Sequence, residues 1–399
     1  MISVLNSLTA KIKKVIIVKI ANILFKEVVF MQKTSWYKIL LRVIAIILAV
    51  ILVVVGGYVI YISAQYYRIE DNESIEIYNN QTTKVVMGGE YSVSTYNIGF
   101  GAYTHDFSFF MDSGITKDGK KIKGKDSVAQ NKETVIKNTT GAVDTITAKD
   151  VDFAFFQEVD IKATRSKKYN QFEHLQTEFD GYASSLAMNF HSAFLFYPLF
   201  KPHGKTDAGI VTLSKYEIGS STRRSLPIDE SFPTKFFDLD RCIQVSRLPI
   251  ADSDKELIMI NVHLSAYDEG GVIRKQQLDF LNGILAEEYS KGNYVVAGGD
   301  FNHDIANSSE LWESNFQIPE WVYTLNNDNL ADGYRFVASN NAPTCRATDM
   351  KYIKGETYTV VIDGFICSDN IETLSIENID TDFMYSDHNP ALLKFKLKI

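Results

Sequence analysis

Asp387 and His388 stand side by side in the stretch "YSDHNP", directly ahead of an apolar run, "ALLKFKL", that reads as a strand. Neighbours on a strand point to opposite faces, so a loop is where both can serve one site. Other strand-like runs end in the same way. Asn97 follows "VSTY", Glu158 follows "FAFFQ", and His263 sits inside "INVHL". Asp300 and Asn302 follow "VVAGG", and Asp363 follows "VVI". Carboxylates, amides and imidazoles are the groups that ligate a hard metal ion, hold phosphate or move a proton. Singly, most have a plainer meaning: Asn97 and "GGDFN" as turns, Glu158 as a solvated strand end, His263 as a core histidine. Asp363 resists that treatment, because an acid inside an apolar run requires a partner.

The elements that must position these groups are short. Strand runs are read at 91–99, 151–159, 208–214, 241–250, 256–264, 293–301, 360–368 and 391–397. Helical periodicity covers 126–148 and 272–290, where "RKQQLDFLNGILAEEY" repeats every 3.6 residues. Many strands with interspersed helices imply an α/β (α+β) domain, a two-sheet β-sandwich flanked by helices. Strand ends gathered at one edge of such a sandwich assemble a site from distant residues.

In order, "YNIGF", "FFQEVD", "INVHL", "GGDFN", "VIDGF" and "SDHNP" resemble the motifs of the endonuclease/exonuclease/phosphatase superfamily over roughly residues 89–399. That resemblance implies the deoxyribonuclease-like four-layer sandwich and metal-dependent phosphoester hydrolysis. By it, Glu158, Asp387 and Asn97 are the metal residues, with Mg²⁺ expected and Mn²⁺ or Ca²⁺ as substitutes. His388 is the general base, oriented by Asp363, and Asp300 orients the water or another catalytic group. His263, Asn302 and Asn97 bind phosphate, and His263 also supports the charge that builds there. One departure stands out. Abasic-site enzymes carry an acid just after the first-strand Asn, where this chain has "NIGFG".

Charge divides the chain. Residues 1–42 carry eight Lys/Arg against one acid, Glu27; that net +7 within a total of −8 leaves −15 for the rest. The change of sign falls at "VIAIILAVILVVVGGYVIYI", residues 43–62, without a charge and long enough to span a bilayer core. Basic residues before it, and Glu70, Asp71 and Glu73 after it, read as a signal anchor with the N-terminus cytoplasmic and the catalytic domain extracellular. The resulting division is 1–42 basic segment, 43–62 transmembrane anchor, 63–88 stalk and 89–399 catalytic domain. Lys19, Lys26 and Lys33, spaced by seven, suit an interfacial helix within 8–34; alternatively, translation starts at Met31. Cys242, Cys345 and Cys367 are widely spaced and read as three buried thiols. No obligate protein partner is indicated.

Two stretches bear on the substrate. "TKDGKKIKGKDS" carries Lys117, Lys120, Lys121, Lys123 and Lys125, either a solvated loop or a phosphate-binding overhang. "HDFSFFMDSG" and "NFHSAFLFYPLFKPHGK" are aromatic, either core or a surface for acyl chains. Arg165 and Lys167, soon after Glu158, suit an anionic headgroup. A domain of net −15 disfavours avid nonspecific nucleic-acid binding. The reading is therefore an anchored phosphodiesterase acting on a lipid headgroup or small phosphoester. Its alternatives are a tethered extracellular nuclease and an inactive binding scaffold.

Overall fold

The computed structural model describes residues 36–266 and 271–399, together with Lys19 and Asn22. They fall into two units, one ending at Gln65 and one running from Tyr66 to Ile399. In the first, α1 (Trp36–Gln65) is a single helix of 30 residues. No charge interrupts it after Arg42, and it is long and apolar enough to cross a membrane. The expected interfacial helix within 8–34 lies outside the described residues, apart from Lys19 and Asn22.

The strands of the second unit begin with β1 (Glu73–Ser74), β2 (Ile77–Tyr78), β3 (Glu90–Asn97), β4 (Ser113–Ile115), β5 (Lys121–Lys123) and β6 (Phe153–Asp160). Next come β7 (Ala183–His191), β8 (Asp207–Ser214), β9 (Ser220–Ser225), β10 (Cys242–Pro249), β11 (Glu256–His263) and β12 (Tyr294–Asp300). The last are β13 (Tyr334–Val337), β14 (Cys345–Arg346), β15 (Thr359–Val360), β16 (Asp363–Ser368), β17 (Ile371–Asn378) and β18 (Ala391–Leu397). Its α-helices are α2 (Lys132–Thr147), α3 (Gln171–Glu178) and α4 (Val272–Ser290).

Two seven-stranded mixed sheets result, ordered β1-β9-β10-β11-β12-β16-β13 and β17-β18-β3-β6-β8-β7-β2. On the outside of the second sheet, α2 and α3 bury Val143, Ile146 and Leu175 against Tyr96, Phe156 and Leu213. On the outside of the first, α4 buries Leu281 and Leu285 against Ile258, Ile260 and Val295. This is the four-layer sandwich the motif order implied. Asn131 caps α2 by accepting the Thr134 N–H, so the helix begins at 132 rather than 126.

The expected stalk needs correction. Residues 66–88 pack with the sandwich: β1 pairs with β9, β2 pairs with β7, and Val85 is wholly buried in the core. Arg68 donates to Asp240 and Glu230, which ties the start of the unit down. Two-residue strands leave no alternation to read, which is why this stretch looked merely polar. The lysine-rich loop likewise contains a hairpin, β4–β5.

Between the sheets, the inward residues change character along each central strand. β3 offers Tyr91 and Val93 and then Thr95 and Asn97; β6 offers Phe153 and Phe155 and then Gln157. β11 offers Leu257 and Met259 and then Asn261 and His263, and β12 offers Tyr294 and Val296 before reaching Asp300. The apolar members form one core cluster, and the strands all become polar towards the same end. Period-two alternation therefore carries the site residues inward together.

Candidate active site

Asp300 is the hub at that polar end. Its Oδ2 accepts from Asn97 Nδ2 at 3.0 Å and lies 3.6 Å from His263 Nε2 and 3.7 Å from His388 Nε2. Its Oδ1 accepts the Asn302 backbone N–H at 2.9 Å, closing a turn in which Asn302 takes φ 52. The glycines before it are sterically required. A Cβ on Gly299 would stand 1.9 Å from the Val262 carbonyl oxygen, and one on Gly298 would strike the Phe365 ring.

His388 and Asp363 pair directly, Nδ1 to Oδ2 at 2.8 Å, with both side chains buried. The Asp363 backbone N–H donates to Thr344 Oγ1. Burial disfavours the His388 imidazolium, but Asp363, Cys345 and Asp300 outweigh it and hold the group well above its ordinary value. The pair is thus built to stabilise the cation that His388 becomes on accepting a proton. His263 is the opposite case. Burial, reinforced by Arg241, His388 and Arg165, drives it well below its ordinary value, so it is neutral. Its Nδ1 is buried without a partner.

Glu158 owes its position to a bulge. The β6–β8 register slips between Phe156 and Val159, and Glu158 takes φ 55. Strict alternation would turn it towards the helices; the extra residue re-aims it at the site. Its Oε1 lies 3.4 Å from Asn97 Nδ2. Asp387 is reached through Ser386, whose Oγ donates to the Asn97 carbonyl oxygen at 2.7 Å and lies 3.2 Å from Asp387 Oδ1. A Cβ on Gly99 would sit 2.8 Å from Asp387 Oδ1, so the "NIGFG" turn leaves room for that carboxylate. Burial above all, with the charge of Glu158, pushes Asp387 up to about 6. Burial above all, with Asp363, pushes Asp300 up to about 7.

Carboxylates gathered out of water beside one another suit a cation. Asp300, Asp363 and His388 bring ligand atoms within 4.8 Å of one another. The hydrogen bond from His388 to Asp363 already accounts for two members of that trio. Glu158 and Asp387, mutually repulsive and backed by Asn97, are the donor set better suited to a hard divalent ion. Asn97 spends its amide N–H groups on Asp300 and Glu158, and its Oδ1 accepts from Gly99. It therefore links Asp300 to Glu158. Asn302 Nδ2 donates one of its two N–H groups to the Leu264 carbonyl oxygen at 2.8 Å.

The structure thus gathers every residue singled out in the motifs. Two others surround them. Arg165 is buried, forks onto Asp160, stacks 4.1 Å from the Phe100 ring centroid and stands 4.0 Å from Glu158. Arg346, from β14, donates to the Thr104 carbonyl oxygen, and its charge acts on Asp387. Arg165, which the sequence suggested for an anionic headgroup, is buried and turned onto Asp160, the acid two residues after Glu158. Nothing local marked Arg346, which joins through the Cys345–His388 bridge.

The sequence pattern of the Endonuclease/Exonuclease/phosphatase family matches residues 95–388. The chain belongs to that family. By membership it is a phosphoric-ester hydrolase of a class that typically depends on a divalent metal. No curated protein matches the sequence. Among solved structures it is similar to the human nocturnin catalytic domain with bound sulfate, at 14% identity over 81% of this chain and 98% of that one, TM-score 0.47. It is similar to D. rerio TDP2 complexed with a single-strand DNA product, at 12% identity over 77% and 99%, TM-score 0.49. It is also similar to the endonuclease/exonuclease/phosphatase from Bacteroides vulgatus, at 16% identity over 78% and 100%, TM-score 0.48.

Proposed function

We propose a membrane-anchored, outward-facing, Mg²⁺-dependent phosphodiesterase that acts on a lipid headgroup or another small phosphoester. The observation that carries hydrolysis is the convergence on Asp300 of the His388–Asp363 pair and the Asn97–Glu158 pair. In this reading His388 takes the proton of the attacking water, and Asp363 holds its tautomer and stabilises the imidazolium. Asp300 orients the water, while neutral His263 and Asn302 face the phosphate oxygens as charge builds. Glu158 and Asp387 would hold the metal, which would supply Lewis-acid stabilisation of the negative charge that builds in the reaction.

The anchor rests on α1 and the reversal of charge across it, which support a cytoplasmic N-terminus. The lipid reading rests on the second aromatic stretch. Phe200 is 94% exposed and Leu199 75%, with Phe196 and Tyr197 more than half exposed. Leu199 and Phe200 border a cavity of about 650 Å³ whose wall also carries Lys123, Lys125 and Lys201, together with Asp106, Asp126 and Asp349. Apolar tips beside lysines suit an acyl boundary under an anionic headgroup. In the first stretch Phe107 and Phe110 are buried and only Met111 among its large apolar residues is exposed. The lysines on β4–β5 equally support the second reading, a tethered nuclease.

The deciding experiment offers the full chain in detergent, with Mg²⁺ or with chelator, mixed phospholipid and sphingolipid vesicles in one tube and DNA in another. Metal-dependent release of a phosphorylated headgroup with intact DNA is expected. Nicked DNA with untouched lipid would replace this reading with the nuclease.

A further inference from the structure

The ends of β16, β12 and β11 lie in a row across the first sheet. Asp363 pairs in register with Asp300, and Asp300 with His263. The next strand is β10, where Ile243 pairs with Val262, so Cys242 stands opposite His263 and Arg241 immediately precedes the strand. Adjacent strands are about 4.8 Å apart, which puts Arg241 on the flank of the row next to His263.

Arg241 is 4% exposed. Its backbone carbonyl accepts the Leu226 N–H at 2.9 Å, but its Nε and Nη1 are buried without any partner. Arg165 is answered by Asp160 and Arg223 by Asp240, while Arg346 meets two carbonyl oxygens and leaves only its Nε without a partner. No carboxylate among the described residues reaches Arg241, although its charge is felt by both His263 and Asp238. A buried cation with orphaned donors is costly, and a protein that keeps one beside a reaction centre holds it for an incoming anion.

We propose that Arg241 is a substrate-anion clamp whose planar guanidinium takes a phosphoryl oxygen of the substrate on the His263 side of the site. The inference rests on the phosphoester reading above and adds a binding residue that the motifs do not contain. The oxygen belongs either to the scissile phosphate or to a second phosphate on the same substrate.

The test uses R241M and R241K in the full chain. Its substrates are the p-nitrophenyl ester of thymidine monophosphate, with and without a further phosphate on the sugar. Loss of a charge-assisted hydrogen bond raises KM in R241M by roughly ten- to a hundred-fold, with kcat far less affected and R241K partly restored. A rise on both esters assigns the scissile phosphate; a rise confined to the doubly charged ester assigns the second group. Because the lone cation is removed, ligand-free R241M melts higher than the parent while losing the Tm increase that inorganic phosphate gives the parent. Unchanged KM on both esters would overturn the proposal, as would R241M retaining the full phosphate-induced Tm increase. If the parent hydrolyses neither ester, the hydrolase reading fails instead, and the phosphate-induced Tm shift still judges the clamp.

Discussion

Towards one end of the sandwich, Phe153, Phe155, Met259, Val296, Phe365 and Phe395 fill the space between the sheets with carbon. Towards the other, the same strands fill it with buried amides and hydroxyls. Gln157 Nε2 donates to Asn261 Oδ1 at 2.8 Å and to Thr95 Oγ1 at 3.1 Å. Asn261 Nδ2 donates to the Val211 and Phe156 carbonyl oxygens, while Thr212 donates to Gln244 and Gln244 to Ser185. Apolar packing is non-directional and tolerates repacking; a satisfied polar network has only one arrangement. The apolar half supplies cohesion, and the polar half, which runs directly into Asn97, His263 and Asp300, supplies position. The difference explains why a site spread over strands from both sheets is held without a disulfide among the described residues.

The sharpest way to break that division is at the site itself. Replacing His388 with Ala should lower turnover by roughly a hundred- to ten-thousand-fold, and because it leaves the buried Asp363 carboxylate unpaired, turnover is read below the lowered melting transition. A normal rate would sink the proposed mechanism. In the apolar half, Phe155→Ala should cost about 3–5 kcal/mol of unfolding free energy, measured by urea titration, with kcat preserved below the transition. In the polar half, Asn261→Leu strands Gln157 and two carbonyl oxygens and should cost about 2 kcal/mol. Unlike the phenylalanine change, it should also depress kcat, because its neighbour two residues on is His263; an unaltered kcat would contradict the positional role given to the network.

The smallest effect serves as a control outside both halves. Burial raises the Glu288 carboxyl, but hydrogen bonds from Arg247, Asn293 and Lys291 outweigh burial and hold it below its ordinary value of 4.5. Its contribution is therefore complete above that value and is lost as pH falls through the lower folded one. Glu288→Gln should lower stability modestly at neutral pH and flatten its decline in acid, read from melting temperatures across pH. Activity should not follow.

Much of this was legible in the residues. The alternation of "VSTYN", "INVHL" and "VVAGGD" carries both the apolar core and its polar termination, and the motif order carries the sandwich. The elements that escaped had reasons to. β7, "ASSLAMNFH", mixes Ser and Asn with small and large apolar residues and so looks unlike a buried strand until its partners across the gap are known. β17 is an edge strand whose alternation is blunted by a bulge and by exposed polar residues, and β1 and β2 are only two residues long.

Period and residue type determined, by themselves, that acids, amides and histidines would end apolar strands and that a charge-free helix would precede the domain. Local sequence can specify this because side-chain direction alternates with every residue. Tertiary structure decided the remainder. It set the register that lines Asp363, Asp300 and His263 in a row, and the left-handed bulge that turns Glu158 inward. It also left Arg241 buried without an acid among the described residues, a state no isolated segment reveals, because the cost of a charge depends on which groups other parts of the chain bring to it.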